Sequence, residues 1–211
     1  MQPRAFPSNI ADRLAGTTGV QKVPNRKLDL FLVRDFLSAE ECAHLCALID
    51  EKRRPSEIAN DIGDKAFRTS ETCDLDPNEP IVAKVEKLLT MLTGIPASFG
   101  EEIQGQRYAP GQEFKAHTDT FTPGTPDFYK HCARQGQRTW TAMLYLNEPD
   151  AGGATRFKVI NKTVQPETRK LLLWHNLLPD GSENPATLHH GMKVRAGTKY
   201  VITKWYRQFE A

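Results

Sequence analysis

Apolar and polar positions change their spacing twice along this chain. Residues 1–25 show no period; Pro3, Pro7, Pro24 and the turn-forming run Gly16-Thr-Thr-Gly19 predict an irregular N-terminal arm. Leu28–Phe36, LDLFLVRDF, is apolar with partial alternation and predicts a strand. A helix is predicted next, because Ser38-Ala-Glu-Glu41 is a capping box in which the Ser hydroxyl accepts from the third amide and the Glu reaches back to the cap. Cys42, Leu45, Cys46 and Ile49 then fall at i, i+3, i+4 and i+7 and form one apolar stripe. Both thiols are therefore expected in the core, with His44 on a different face and no metal cluster among the three. The polar stretch Pro55–Asp76 holds a short strand or extended loop over Phe67–Leu75. Ile81, Val85, Leu88, Leu89 and Leu92 share one face of a second helix over Pro80–Leu92, which Gly94 and Pro96 stop. From Glu101 onward the pattern becomes short apolar or alternating runs separated by Gly and Pro. Closely spaced strands after two helices predict a mainly β fold, a sandwich or barrel with helices packed outside it, and residues 26–211 as a single domain.

Composition narrows the partners. The 211 residues suffice to bury one sizeable core, and 39% hydrophobic with 26% charged residues describes an ordinary globular protein. Lys+Arg 28 against Asp+Glu 26 leaves a net charge of +2, which gives no electrostatic case for nucleic acid or an anionic membrane as partner. Cys42, Cys46, Cys73 and Cys132 form no CxxC pair, the N-terminus lacks the apolar segment of a secretory signal, and no apolar run approaches the ~20 residues of a membrane span. A reducing, cytoplasmic setting is expected.

The candidate chemistry centres on His117-Thr118-Asp119. In extended backbone, residues two apart project from the same side, so an imidazole and a carboxylate would meet at one point. Such a pair is two thirds of the 2-His-1-carboxylate triad that leaves positions open on non-heme Fe(II), although a surface loop also presents His and Asp two apart. His189-His190 offers a third ligand. Ten residues beyond His189, Lys199 stands in a strand-like run where Lys199, Val201 and Thr203 share one face and Tyr200, Ile202 and Lys204 the other. A lysine pointing into a barrel needs a partner, and a substrate carboxylate would serve.

Several ordered runs carry a resemblance: Tyr108–Asp119 (YAPGQEFKAHTD), Arg138–Asn147, Gly152–Phe157, Leu171–Asn176, then His189 and Lys199–Trp205. Together they resemble the catalytic domain of the prolyl 4-hydroxylases, which are Fe(II)- and 2-oxoglutarate-dependent dioxygenases. The likeness runs from about Leu30 to the C-terminus. It implies a double-stranded β-helix, or jelly roll, buttressed by helices. It implies His117, Asp119 and His189 as iron ligands, Lys199 as the partner of the distal carboxylate of 2-oxoglutarate, and Tyr108 and Thr155 as hydrogen-bonding groups at that end. His189 is preferred to His190 because the family ligand stands two residues before the small residue that is Gly191 here. Arg138 and Trp205 correspond to positions flanking the cavity and are expected to contact a peptide.

The implied activity is oxidative decarboxylation of 2-oxoglutarate to succinate and CO2, coupled to hydroxylation of an unactivated C–H bond with O2; ascorbate is a possible reductant. A prolyl residue of a peptide or protein is the first expectation, and a free amino acid or other small molecule the alternative. Lys193 replaces a proline common in the family, which argues against assuming a collagen-like substrate. Halogenation is disfavoured because Asp119 is present, nucleic-acid demethylation by the weak charge, and a merely structural metal site by Tyr108, Thr155 and Lys199. His131 is expected as a solvated loop residue, His175 in or beside a core strand, and 121–136 as a mobile cover over the site.

Overall fold

The computed structural model describes residues 6–56 and 67–210; the start of the predicted arm and the middle of Pro55–Asp76 lie outside the described residues. The capping box forms as the sequence requires: Ser38 accepts from the Glu41 amide, the Glu41 carboxylate accepts from the Ser38 amide at 2.9 Å, and the helix Ala39–Lys52 follows. The second helix runs Pro80–Thr93 and ends where Gly94 turns left-handed, at φ 77°, a conformation glycine adopts without steric cost.

The strands form two facing antiparallel sheets. The larger has eight strands in the order Val20–Lys22, Leu30–Val33, Leu171–His175, Arg138–Tyr145, Lys199–Arg207, Gln104–Tyr108, Glu71–Asp74 and Arg54–Pro55. The smaller has four, Lys162–Val164, Thr155–Phe157, His189–Gly191 and Phe114–His117, and a two-stranded ribbon joins Val194–Ala196 to Ala151–Gly152. Strand alternation sorts the larger sheet into two faces. Trp140, Ala142, Leu144, Leu171, Leu173 and Ile202 pack with Leu45, Ile49, Val85 and Leu89 of the helices. Met143, Tyr145, Leu172, Trp174 and Val201 pack with Phe157 and Val164 of the smaller sheet. The result is the expected jelly roll, with helices outside one sheet and a cavity between the two.

Three expectations change. The arm is not irregular throughout: Ile10–Gly16 is a helix and Val20–Lys22 an edge strand paired with Leu30–Val33. This helix has no side-chain N-cap; it is held by burial of Ile10 and Leu14 and by Arg13, which donates to the carbonyls of Met91 and Leu92. The predicted strand over Leu28–Phe36 is shorter, Leu30–Val33, because Asp35 turns to φ 57°. Nor is 121–136 a long loop. It contains the helix Pro126–Cys132, capped by Thr125, and Phe121 at its base is buried with both its backbone N–H and carbonyl bonded to the Gln137 side chain.

Candidate metal centre and its cavity

Antiparallel register in the smaller sheet sets His189 directly opposite His117, and Asp119 follows two residues later. One ligand atom from each of His117, Asp119 and His189 can be chosen so that all lie within 4.8 Å of one another, and among the described residues no other group of three or more His, Cys, Asp or Glu is so placed. His117 Nδ1 is 2.8 Å from the Lys115 carbonyl and His189 Nδ1 is 2.9 Å from the Thr187 carbonyl. A carbonyl only accepts, so each Nδ1 carries the proton and each Nε2 presents its lone pair, the tautomer a metal needs. Phe114 stacks on His117 with 3.5 Å between ring centroids. Burial, and then His189, push the His117 imidazole down to about 3, so it is neutral across the physiological range. For Asp119 burial pushes upward, but His189, His117, Arg138 and the Thr141 hydroxyl outweigh it and hold the carboxyl below its usual range. Two imidazoles and one carboxylate are a donor set suited to Fe(II).

Behind the triad lies a cavity of about 30 Å³ bordered by Tyr108, Thr155 and Lys199. Lys199 pairs across the sheet with Tyr108 and is 2% exposed. Its Nζ lies 5.0 Å from the Tyr108 ring centroid and 5.4 Å from that of Tyr145, and no carboxylate among the described residues pairs with it. Burial pulls its pKa down to about 7. The Tyr108 hydroxyl donates to Gln106 Oε1 at 2.7 Å, and the Tyr145 hydroxyl donates to Thr155 Oγ1 at 2.6 Å. A buried ammonium between aromatic faces, with hydroxyls beside it and no anion among the described residues, fits one carboxylate of a dicarboxylic acid.

Outside the triad a groove of about 780 Å³ opens to solvent, and Trp205 borders both it and the cavity. Arg138 lines the groove with its guanidinium 4.0 Å from the Trp205 ring centroid, and it is bidentate to Glu101, both contacts 2.6 Å. Glu101 also takes Arg207 at 3.1 Å. Burial pushes the Glu101 carboxyl up, and the two guanidiniums more than reverse that. Arg68 lines the groove 4.8 Å from the Phe114 ring and bonds Ser70 and Gln104, without a carboxylate partner among the described residues.

His190 turns away from the triad and donates to Glu113 at 2.9 Å, with Lys193 at 3.7 Å from the same carboxylate. His175 lies in a core strand, stacked on Trp140. His131, expected in a solvated loop, is instead half-buried on the helix Pro126–Cys132 and stacked on Phe121. Sequence reasoning assigned no role to Thr141, Tyr145, Gln106 or Asn176. The signal was available for two of them. The alternation that set Lys199 and Val201 on one face also sets Thr141 and Tyr145 on one face of the neighbouring strand.

The sequence profile described as the 2OG-Fe(II) oxygenase superfamily matches residues 103–207. Prolyl 4-hydroxylase 1 of Arabidopsis thaliana is 31% identical over 199 residues, an alignment covering 85% of this chain and 69% of that protein. Two solved structures share the fold. The 2OG complex of the viral collagen prolyl hydroxylase of Paramecium Bursaria Chlorella virus-1 superposes with TM-score 0.65 at 24% identity, over 92% of this chain and 98% of that one. A Trichoplax adhaerens prolyl hydroxylase in complex with a hypoxia inducible factor oxygen degradation domain peptide fragment has TM-score 0.61 and 18% identity, over 94% and 87%.

Proposed function

The chain belongs to the 2OG-Fe(II) oxygenase superfamily, among its prolyl 4-hydroxylase-like members, and from that premise we propose that it hydroxylates a prolyl residue of a peptide or protein. The observation that carries the reading is the juxtaposition of a two-imidazole, one-carboxylate set with a buried lysine that pairs with no carboxylate among the described residues. His117, Asp119 and His189 would hold Fe(II) through the two Nε2 atoms and one carboxylate oxygen. Lys199 would pair with the distal carboxylate of 2-oxoglutarate, with Tyr108 and Thr155 hydrogen-bonding the same end. Bound iron supplies O2 activation coupled to decarboxylation of 2-oxoglutarate, yielding succinate, CO2 and a hydroxylated substrate. The protein's part is to exclude water behind the triad, to keep both imidazoles aimed through their Nδ1 hydrogen bonds, and to orient the dicarboxylate by charge.

The open groove beside the triad supports a peptide substrate, as does the peptide seen with the Trichoplax enzyme. Arg138 and Trp205 would form its wall beside the target residue. A small carboxylate-bearing substrate is the second reading, favoured by Arg68, a groove cation that no carboxylate among the described residues neutralises. Residues 26–211 would act as one catalytic domain. No helix among the described residues is long and apolar enough to cross a membrane. The four free thiols support a reducing, cytoplasmic location, and ascorbate is proposed as the reductant that sustains turnover.

The test is to incubate Fe(II)-loaded protein with 2-oxoglutarate and candidate peptides, to follow succinate, and to search peptides and small molecules by mass spectrometry for the gain of one oxygen. Succinate formation that is lost in His189→Ala and kept in His190→Ala is expected. Protein that neither binds nor consumes 2-oxoglutarate would sink the proposal.

A further inference from the structure

The two oxygens of Asp119 have different neighbours. Oδ1 is 3.9 Å from His117 Nε2, whereas Oδ2 lies 2.7 Å from Thr141 Oγ1. Thr141 is fully buried, and its hydroxyl is also 2.9 Å from Nδ2 of Asn176, itself fully buried. The charged end of this chain sets its direction. At 2.7 Å from a carboxylate oxygen in a dry site, the Thr141 hydroxyl has to give its single proton to Asp119, because two facing lone pairs would repel. Its oxygen is then purely an acceptor, so Asn176 must present its NH2 and not its carbonyl. Asn176 Oδ1 consequently finds no donor among the described residues although it is buried, an arrangement that costs stability. The backbone holds Asn176 in place, its N–H donating to Thr139 at 2.7 Å and its carbonyl accepting from Asn184 at 2.9 Å. A buried amide with one end unsatisfied is what remains when its other end is committed to orienting Thr141.

We propose that Asn176 and Thr141 form a one-way hydrogen-bond relay that positions the Asp119 carboxylate, engaging Oδ2 and leaving Oδ1 for the metal. Both are positioning residues: Thr141 acts through the Asp119 carboxylate and Asn176 acts through Thr141. The inference rests on reading His117, Asp119 and His189 as the metal set.

The experiment uses Co(II) as the probe, titrated into the metal-free full chain and read by its visible absorption, with no dependence on turnover. Thr141→Val, which keeps the shape and removes the hydroxyl, is expected to weaken Co(II) binding about 10- to 100-fold, the usual cost of losing an outer partner of a ligand. Thr141→Ser is expected within about threefold of the native protein, and Asn176→Ala in between. The double variant Thr141→Val/Asn176→Ala should bind no more weakly than Thr141→Val alone, because Asn176 acts through the hydroxyl already removed. Should Thr141→Val fail to fold, Thr141→Ala and Asn176→Ala carry the same comparison. Native-like affinity in the hydroxyl-less variant, losses that multiply in the double variant, or no rescue by serine would overturn the relay. Native protein that binds no Co(II) would overturn the metal-centre reading with it, whereas native binding beside an indifferent Thr141→Val overturns the relay alone.

Discussion

Two lysines five residues apart on the strand Lys199–Arg207 are almost equally buried, 2% exposed at Lys199 and 4% at Lys204, and have opposite surroundings. Lys204 faces the helices, where Glu86 of Pro80–Thr93 meets its ammonium at 2.5 Å. Lys199 faces the cavity between the sheets, where the rings of Tyr108 and Tyr145 flank it and no carboxylate among the described residues answers its charge. Desolvating an ammonium costs several kcal/mol wherever it happens. On the helix side the fold supplies the compensating anion. On the cavity side the anion has to arrive with a ligand, which is why the same residue type is structural at one position and part of a binding site at the other.

Substitution should separate the two roles. Lys199→Ala is expected to lower 2-oxoglutarate affinity by about 2–5 kcal/mol, roughly 30-fold or more, with metal binding retained; equilibrium titration of the metal-loaded protein measures it. Its ligand-free stability should not fall, since an uncompensated buried amine is removed. Lys204→Ala should do the reverse. It strands Glu86 and lowers the unfolding free energy by about 3 kcal/mol, the low end for a broken buried pair because Glu86 keeps some exposure, while the folded protein still binds 2-oxoglutarate normally. Urea denaturation of the two variants side by side decides whether the contrast is real. Equal destabilisation by both would mean that Lys199 has an internal partner after all.

Acidity sharpens the comparison next. With its folded pKa lowered to about 7 in the ligand-free protein, Lys199 is protonated below pH 7 and loses its proton as pH rises. An incoming carboxylate favours the charged form, so binding takes up a proton above pH 7. The affinity for 2-oxoglutarate is therefore expected to be greatest below pH 7 and to weaken above it by up to about tenfold per unit. The linkage to folding has the same origin. Between about 7 and the ordinary lysine value the unfolded chain holds a proton that the folded chain does not, so the Lys199 contribution makes ligand-free stability rise with pH across that window. Lys199→Ala should abolish both slopes. The smallest expected effect is that of Tyr145→Phe, which keeps the ring beside Lys199 and deletes the hydroxyl bonded to Thr155; a loss of about 0.5–1.5 kcal/mol in 2-oxoglutarate affinity is expected from calorimetric titration.

How much of this was legible follows from the range of each interaction. The helix Ala39–Lys52 could be read because its capping box and apolar stripe lie within a dozen residues. The stop at Gly94 was legible because left-handed backbone selects glycine. The helix Ile10–Gly16 was not, because its anchors are Met91 and Leu92, nearly eighty residues away, and its own cap position carries no side-chain bond. The segment 121–136 misled for a related reason. Its helix is short, and what holds its base is the Gln137 side chain folding back on Phe121.

For the candidate site the division is similar. His117, Asp119, His189 and Lys199 could be named from residue types and spacing within ordered motifs, because alternation along a strand assigns each side chain to a face. Spacing alone also determined that Lys199 and Lys204 point to opposite faces. Which face is the binding site could not be read from one strand. That depended on Glu86 approaching from one side, on the two tyrosines closing the other, and on Thr141 and Asn176 reaching Asp119 across more than twenty residues of sequence. Local chemistry sets the donors and charges a chain carries, and only the packing of distant strands decides which of them are satisfied within the fold and which are left for a metal and its ligand.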